Sequence, residues 1–202
     1  MLLSQGTNFH FKLTEKEREV SLKQYEKGDR ITVLDSEIWQ VYRGVVQLSR
    51  MKHDGSEIIV GWVSANGIFG HCFEEECSSY RAVALGTVYA RRYYATDIMR
   101  YPSLARQFLA QYSDRLLKSE QLLSIVGIRK VEHRLKSLLL MLKQEIGQAA
   151  GDDIRLQVRF THQHLAEAIC TTRVTITRIL GNFQNRGLIC IDSDRHIVFK
   201  DL

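Results

Sequence analysis

Between Gly28 and Tyr93, short apolar runs alternate with polar residues and are broken by turn-forming pairs, a period of two that predicts β-strands. The predicted strands span Glu37 to Tyr42, Val45 to Met51, Glu57 to Val63, Ile68 to Phe69, Tyr80 to Leu85 and Thr87 to Tyr93. Arg43-Gly44 separates the first two, and Asp54-Gly55 and Asn66-Gly67 are pairs that close hairpins. No intervening stretch is long enough for a crossover helix, which excludes parallel βαβ units. A small antiparallel β-barrel or jelly roll is expected.

The period changes at Tyr101-Pro102, where proline is pre-organised for the first position of a helix. Ala105, Leu109, Tyr112, Leu116, Ser119, Leu123 and Val126 follow at alternating intervals of four and three, a heptad seam with one polar member. A repeat of 3.5 residues fits a parallel coiled coil between subunits better than a helix lying on its own barrel, which needs a wider face. Leu135, Leu138, Leu139 and Leu142 start a second amphipathic helix that ends near Gly147, and 147–153 reads as a polar loop.

The last forty residues are the most specific. Thr161 caps a short helix with Leu165, Ala166 and Ile169 inward, and Cys170-Thr171 forms a turn. Thr172 caps a second helix whose core face is Ile176, Ile179, Leu180 and Phe183. The opposite face offers Arg173, Val174, Thr177 and Arg178. A guanidinium forks onto guanine O6 and N7, and methyl groups pack on the thymine methyl, so these are groups that read bases in the major groove. After Gly187, Leu188 to Ile191 and His196 to Phe199 alternate across 192–195 as a β-hairpin wing. Two helices, a tight turn and a wing make a winged helix-turn-helix. The alternative is a helical hairpin with two exposed arginines.

Charge supports the same third of the chain. The 202 residues carry 28 Lys and Arg against 23 Asp and Glu, a net charge of +5. Residues 129–202 hold 12 basic and 8 acidic groups, while the first 128 are nearly balanced. A polyanion responds to such local excess. No apolar stretch is long enough to cross a bilayer, no basic-then-apolar leader opens the chain, and four scattered cysteines do not make a disulfide framework. A cytoplasmic protein with no membrane partner is expected.

A β-barrel, a long dimer helix and a C-terminal winged helix-turn-helix, in this order, resemble the cyclic-AMP receptor and fumarate–nitrate regulator (CRP/FNR) superfamily of transcription factors. The strings Thr161 to Ile169 and Thr172 to Gly181 are very similar to the helix-turn-helix of its cyanobacterial nitrogen-regulator, NtcA-like branch. The resemblance implies an α+β chain with a cyclic-nucleotide-binding-like barrel over 1–100, a dimerisation helix over 101–128 and a winged helix-turn-helix over 129–202. It also implies a homodimer on double-stranded DNA, with RNA polymerase as a partner. Thr172, Arg173, Val174, Thr175, Thr177 and Arg178 become the DNA-binding set. Val174 stands where the cyclic-AMP branch has glutamate, which implies a GTA-type half-site, and Cys170 stands where the family has its turn glycine.

The resemblance places the effector pocket between barrel and long helix, around Phe69, Gly70, His71 and Cys72. The glutamate and Arg-Ser pair of cyclic-nucleotide binders are replaced by His71 and Ser78-Ser79, which argues against cyclic AMP. The NtcA-like branch binds 2-oxoglutarate. Arg115 and Glu120 match its helix pair, but the barrel arginine falls on Ser78, leaving Arg81 as a replacement only if it points inward. A weak, altered or absent effector is therefore expected. Other chemistry has thin support. Cys72 and Cys77 give two thiolates where a cluster or zinc needs more, and His162 and His164 face apart on a helix, so no metal site is assigned; a metal- or redox-responsive regulator of the same fold remains as the alternative. A cupin-type enzyme needs converging barrel histidines, whereas His53 and His71 fall in a turn and a loop, and no nucleophile or phosphate-loop motif is present. The expectation is a regulator, not an enzyme; a scaffold that only binds partners is the remaining class.

Overall fold

The computed structural model describes residues 22–52, 54–70 and 80–200. Its N-terminal part holds β1 (Lys23–Tyr25), β2 (Glu37–Arg43), β3 (Val46–Met51), β4 (Glu57–Val63), β5 (Ile68–Gly70), β6 (Tyr80–Ala84) and β7 (Val88–Tyr94). Each expected strand forms within a residue or two, and β1, too short to show a period, is added. The strands hydrogen-bond as two antiparallel sheets, β1-β7-β2-β5 and β4-β3-β6, and no closed barrel forms among the described residues. The chain crosses between the sheets after β1, where the Gly28 and Ile31 amides donate to the Ala84 and Ala82 carbonyls at 2.8 and 2.9 Å.

Alternation sets the core between the sheets. Trp39, Val41, Val46, Leu48, Phe69, Ala82, Ala84, Val88 and Ala90 form one buried cluster, with Trp39 stacked parallel on Phe69 and Tyr25 edge-on against it. The outer face of the first sheet is covered by α1 (Ala95–Arg100), which the sequence pattern did not suggest, and by the start of α2 (Pro102–Val126). There Ile38, Ile68, Tyr93, Ile98 and Phe108 form a second cluster, partly flanked by Ala105 and Tyr112.

Pro102 stands at the start of α2 as expected, and α3 (Val131–Ile146) ends at Gly147. The segment after α3 is not a loop. β8 (Gly147–Ala150) and β9 (Asp153–Leu156) pair as a hairpin turned at Gly151, whose φ is +66°. α4 (His162–Ala168) and α5 (Arg173–Asn185) follow, then β10 (Ile189–Ile191) and β11 (Ile197–Phe199). The wing is therefore the far half of a four-stranded sheet, β10-β11-β9-β8.

The largest cluster joins the two ends of the molecule. It runs from Val45, Ile59 and Leu85 on the second sheet, through Leu122, Ile125 and the buried side of α3, to Leu165, Ile169, Ile176 and Phe183. Trp62 packs edge-on against Phe160 at 5.5 Å, and α4 lies against β4. No helix among the described residues is long and apolar enough to cross a membrane.

Candidate nucleic-acid interface

Both helices of the C-terminal pair are capped as the sequence predicts. The Thr161 hydroxyl accepts from the His164 amide at 3.1 Å, and the Thr172 hydroxyl accepts from the Thr175 amide at 3.2 Å. Each satisfies an amide that the first turn would leave unpaired. Cys170 has φ +52°, so it takes the left-handed conformation usually given to glycine, and its thiol is exposed.

Leu165, Ala166 and Ile169 are buried, as are Ile176, Ile179, Leu180 and Phe183, which fixes the rotation of α5 about its axis. Arg173, Val174, Thr177 and Arg178 consequently face solvent, with Val174 78% exposed. Thr172 is also exposed, while Thr175 is half-buried and its hydroxyl lies 2.9 Å from that of Thr172, so both belong to the cap. Thr177 differs from its expected presentation as an open hydroxyl. Its Oγ1 donates to the Arg173 carbonyl at 2.9 Å and lies 2.7 Å from His162 Nδ1. Burial, and then the Arg173 charge, push the His162 imidazole below its usual range, which favours the neutral ring. Alternation could not reveal a hydroxyl that is exposed yet already bonded.

The wing turn is held from the sheet. Arg155 pairs with Asp192 and Asp194, the His196 amide donates to Asp192 at 2.8 Å, and His196 Nδ1 donates to the Leu156 carbonyl at 2.7 Å. Arg155 lies on β9, just past the 147–153 segment read as a loop and in no predicted element, so this anchor was not found from the sequence.

The expected dimer seam divides between two faces of α2. Leu109, Leu116 and Leu123 are 71%, 59% and 73% exposed, Ser119 is exposed, and Leu117, absent from the seam, is 62% exposed. Ala105 and Tyr112 instead turn toward the sheet, and Val126 is half-buried. The reason is geometric: Phe108 and Leu122 face the protein, and the leucine line lies about 100° around the helix from them.

Among the described residues, Phe69, Arg81, Arg115 and Glu120 do not meet at one point. Phe69 is fully buried in the core, and a Cβ on Gly70 would stand 2.2 Å from the Glu37 carbonyl, so the Phe-Gly pair has a packing reason in the close approach of β5 to β2. His71, Cys72, Cys77 and Ser78 lie outside the described residues. Arg115 donates to the Tyr80 hydroxyl at 3.1 Å and to the Ile68 carbonyl at 3.5 Å, while the Tyr112 hydroxyl donates to the Gly70 carbonyl at 3.3 Å. Arg81, the next residue along β6 from Tyr80, is directed to the other face of the strand and pairs with Glu57. The structure does not bring Arg81 to Arg115. Glu120 is exposed on the side of the leucine line. A narrow cleft lined by Trp62, Arg115, Lys118, Met141, Leu142 and Glu145 separates β4, α2 and α3, but its open space of about 20 Å³ fits a water, not a metabolite. Lys118 bridges it, 2.8 Å from Asp114 and 2.6 Å from Glu145.

A model of the Crp-like helix-turn-helix domain matches residues 133–202. The chain is 32% identical over 192 residues to the global nitrogen regulator of Synechococcus elongatus, covering 90% of this chain and 86% of that one. It is 30% identical over 171 residues to the global nitrogen regulator of Nostoc, covering 81% and 77%. The solved structure of FixK2 from Bradyrhizobium japonicum superposes with a TM-score of 0.73 at 19% identity, covering 90% of this chain and 92% of that one. With the capped helix pair, the wing and the two-sheet N-terminal part in this order, the chain belongs to the CRP/FNR family of DNA-binding transcription regulators and is a relative of the global nitrogen regulators.

Proposed function

We propose that this regulator binds, as a homodimer, an inverted repeat of GTA-type half-sites about one helical turn, roughly 10 bp, apart. One observation carries the reading: α5 is locked by its buried face and its cap so that Arg173, Val174 and Arg178 stand open on one surface. In this reading residues 1–100 form the sensor-type domain, 101–128 the dimerisation helix and 129–202 the DNA-binding domain. Leu109, Leu116 and Leu123 supply the seam, because three leucines spaced by sevens and open to water are what a coiled-coil partner covers. The reading includes RNA polymerase as a partner and the cytoplasm as compartment, supported by the kinship with transcription regulators.

The effector reading is weak or no dependence on 2-oxoglutarate. Arg115 already spends its guanidinium on Tyr80 and a carbonyl, and Arg81 faces away from it. A dicarboxylate would have to displace those bonds and would meet a single arginine. Only a ligand with different affinity for two states can shift them.

Competition binding on single-base variants of a GTA-containing duplex tests the DNA reading. Arg173→Ala should lose about 1–3 kcal/mol and relax the preference for guanine. Equal loss on every variant would make Arg173 a phosphate contact and refute its role in base reading.

A further inference from the structure

Threonine has two accessible χ1 rotamers in a helix, because its hydroxyl can bond a carbonyl one turn back. The two rotamers present different groups to the outside. At Thr177 both sides of the hydroxyl are engaged. Its single proton goes to the Arg173 carbonyl at 2.9 Å, so at the 2.7 Å contact the oxygen accepts and His162 Nδ1–H donates. His162 begins α4, and Thr177 lies one turn into α5, so this bond also ties the two helices together across the turn at Cys170.

We propose that His162 is a positioning residue for base reading: it fixes the Thr177 rotamer so that this position recognises the thymine methyl group through its own methyl and not a base edge through its hydroxyl. The inference rests on the DNA-binding reading above and adds a named specificity device to it. The engaged hydroxyl has little remaining capacity for a base, whereas the side chain is exposed beside Arg173 and Val174. Apolar contact with the thymine methyl is an established mode of major-groove reading. The pin does not depend on the ring's charge, since Nδ1 donates both in the imidazolium and in the neutral Nδ1–H tautomer that this hydrogen bond selects.

The test uses the full-length protein and a duplex carrying an inverted repeat of GTA half-sites, with each thymine replaced in turn by deoxyuridine, which lacks only the methyl. For the native protein, deoxyuridine at one thymine per half-site should weaken binding about fourfold, the value of one buried methyl group. Thr177→Val, which keeps a methyl and loses the hydroxyl, should preserve that ratio. Thr177→Ser, which keeps the hydroxyl and loses the methyl, should abolish it. His162→Ala should shrink the ratio, and His162→Gln, which restores a side-chain N–H donor, should recover it. Abolition by Thr177→Val with retention by Thr177→Ser would overturn the proposal in favour of hydroxyl reading. An unchanged ratio in His162→Ala would remove His162 from it, and native binding with no deoxyuridine-sensitive thymine would refute methyl reading while leaving DNA binding intact. No preference of the native protein for the repeat over unrelated duplex would instead refute the underlying site reading.

Discussion

Replacing Cys170 with glycine should stabilise this protein. Cys170 holds φ at +52° in the turn between α4 and α5, and its side chain is exposed, so truncation removes little packing. An L-residue in the left-handed helical region carries about 1–2 kcal/mol of strain. Glycine avoids it and returns about 0.5–1 kcal/mol through the greater freedom of the unfolded chain. The balance favours Cys170→Gly by about 0.5–1 kcal/mol, or about 1–4 °C in melting temperature for a chain of this length. Gly187 offers the reverse experiment. Its φ is +70° and an added Cβ would meet nothing within 4 Å, so Gly187→Ala introduces the same backbone strain without a clash and should cost a similar amount. Urea unfolding of both variants measures the pair, with Cys170→Ala as the control that removes the thiol but keeps a Cβ and should stay within about 0.5 kcal/mol of the native protein. Equal stabilisation by Cys170→Ala and Cys170→Gly would show that the thiol, not the backbone, is responsible, and would refute the reasoning.

Leu116→Asp should convert the protein to monomers in sedimentation while each protomer stays folded, since Leu116 is exposed in the single chain and a carboxylate buried in a seam costs several kcal/mol; a persistent dimer would remove Leu116 from the interface. Calorimetry with 2-oxoglutarate should give weak or no heat, and any binding found should fall more than tenfold in Arg115→Ala and stay unchanged in Arg81→Ala, because Arg81 is paired with Glu57 on the opposite face. Burial pushes the Asp192 carboxyl up, but Arg155 and the His196 amide outweigh it and hold the group below its usual range. Its folded-state pKa is thus depressed, so its stabilisation is present above about pH 4 and is lost as pH falls through the folded value. Asp192→Asn should flatten the acid limb of the stability curve.

Periodicity made α5 legible, because one face of four apolar residues and a capping threonine leave a single rotation. The strands β2 to β7 were legible for the same reason. β8 and β9 were not: Gly147, Gln148, Ala149 and Ala150 carry almost no apolar alternation, and their strand state comes from pairing with β9, which in turn pairs with β11. α1 is a six-residue helix held by burial of Ala95 and Ile98, too short for a helical period to emerge. Along α2 the four-three spacing does not separate exposed from packed positions, since Tyr112 satisfies it while bonding the Gly70 carbonyl. The orientation of Arg81 depends on strand register, which places it opposite Ser49 and which no local pattern specifies.

The cluster that runs from Ile59 and Leu85 through α3 into Leu165 and Phe183 has a thermal consequence. Lifting α4, and α5 packed on it, away from β4 would wet the Trp62 and Phe160 contact along with the apolar surface around it. Exposure of apolar surface raises heat capacity, so the free energy of that movement is curved in temperature. Near room temperature the resistance to it is largely entropic and weakens on cooling. The side chains that hold α4 and α5 to the rest of the molecule thus also make the cost of separating them depend on temperature.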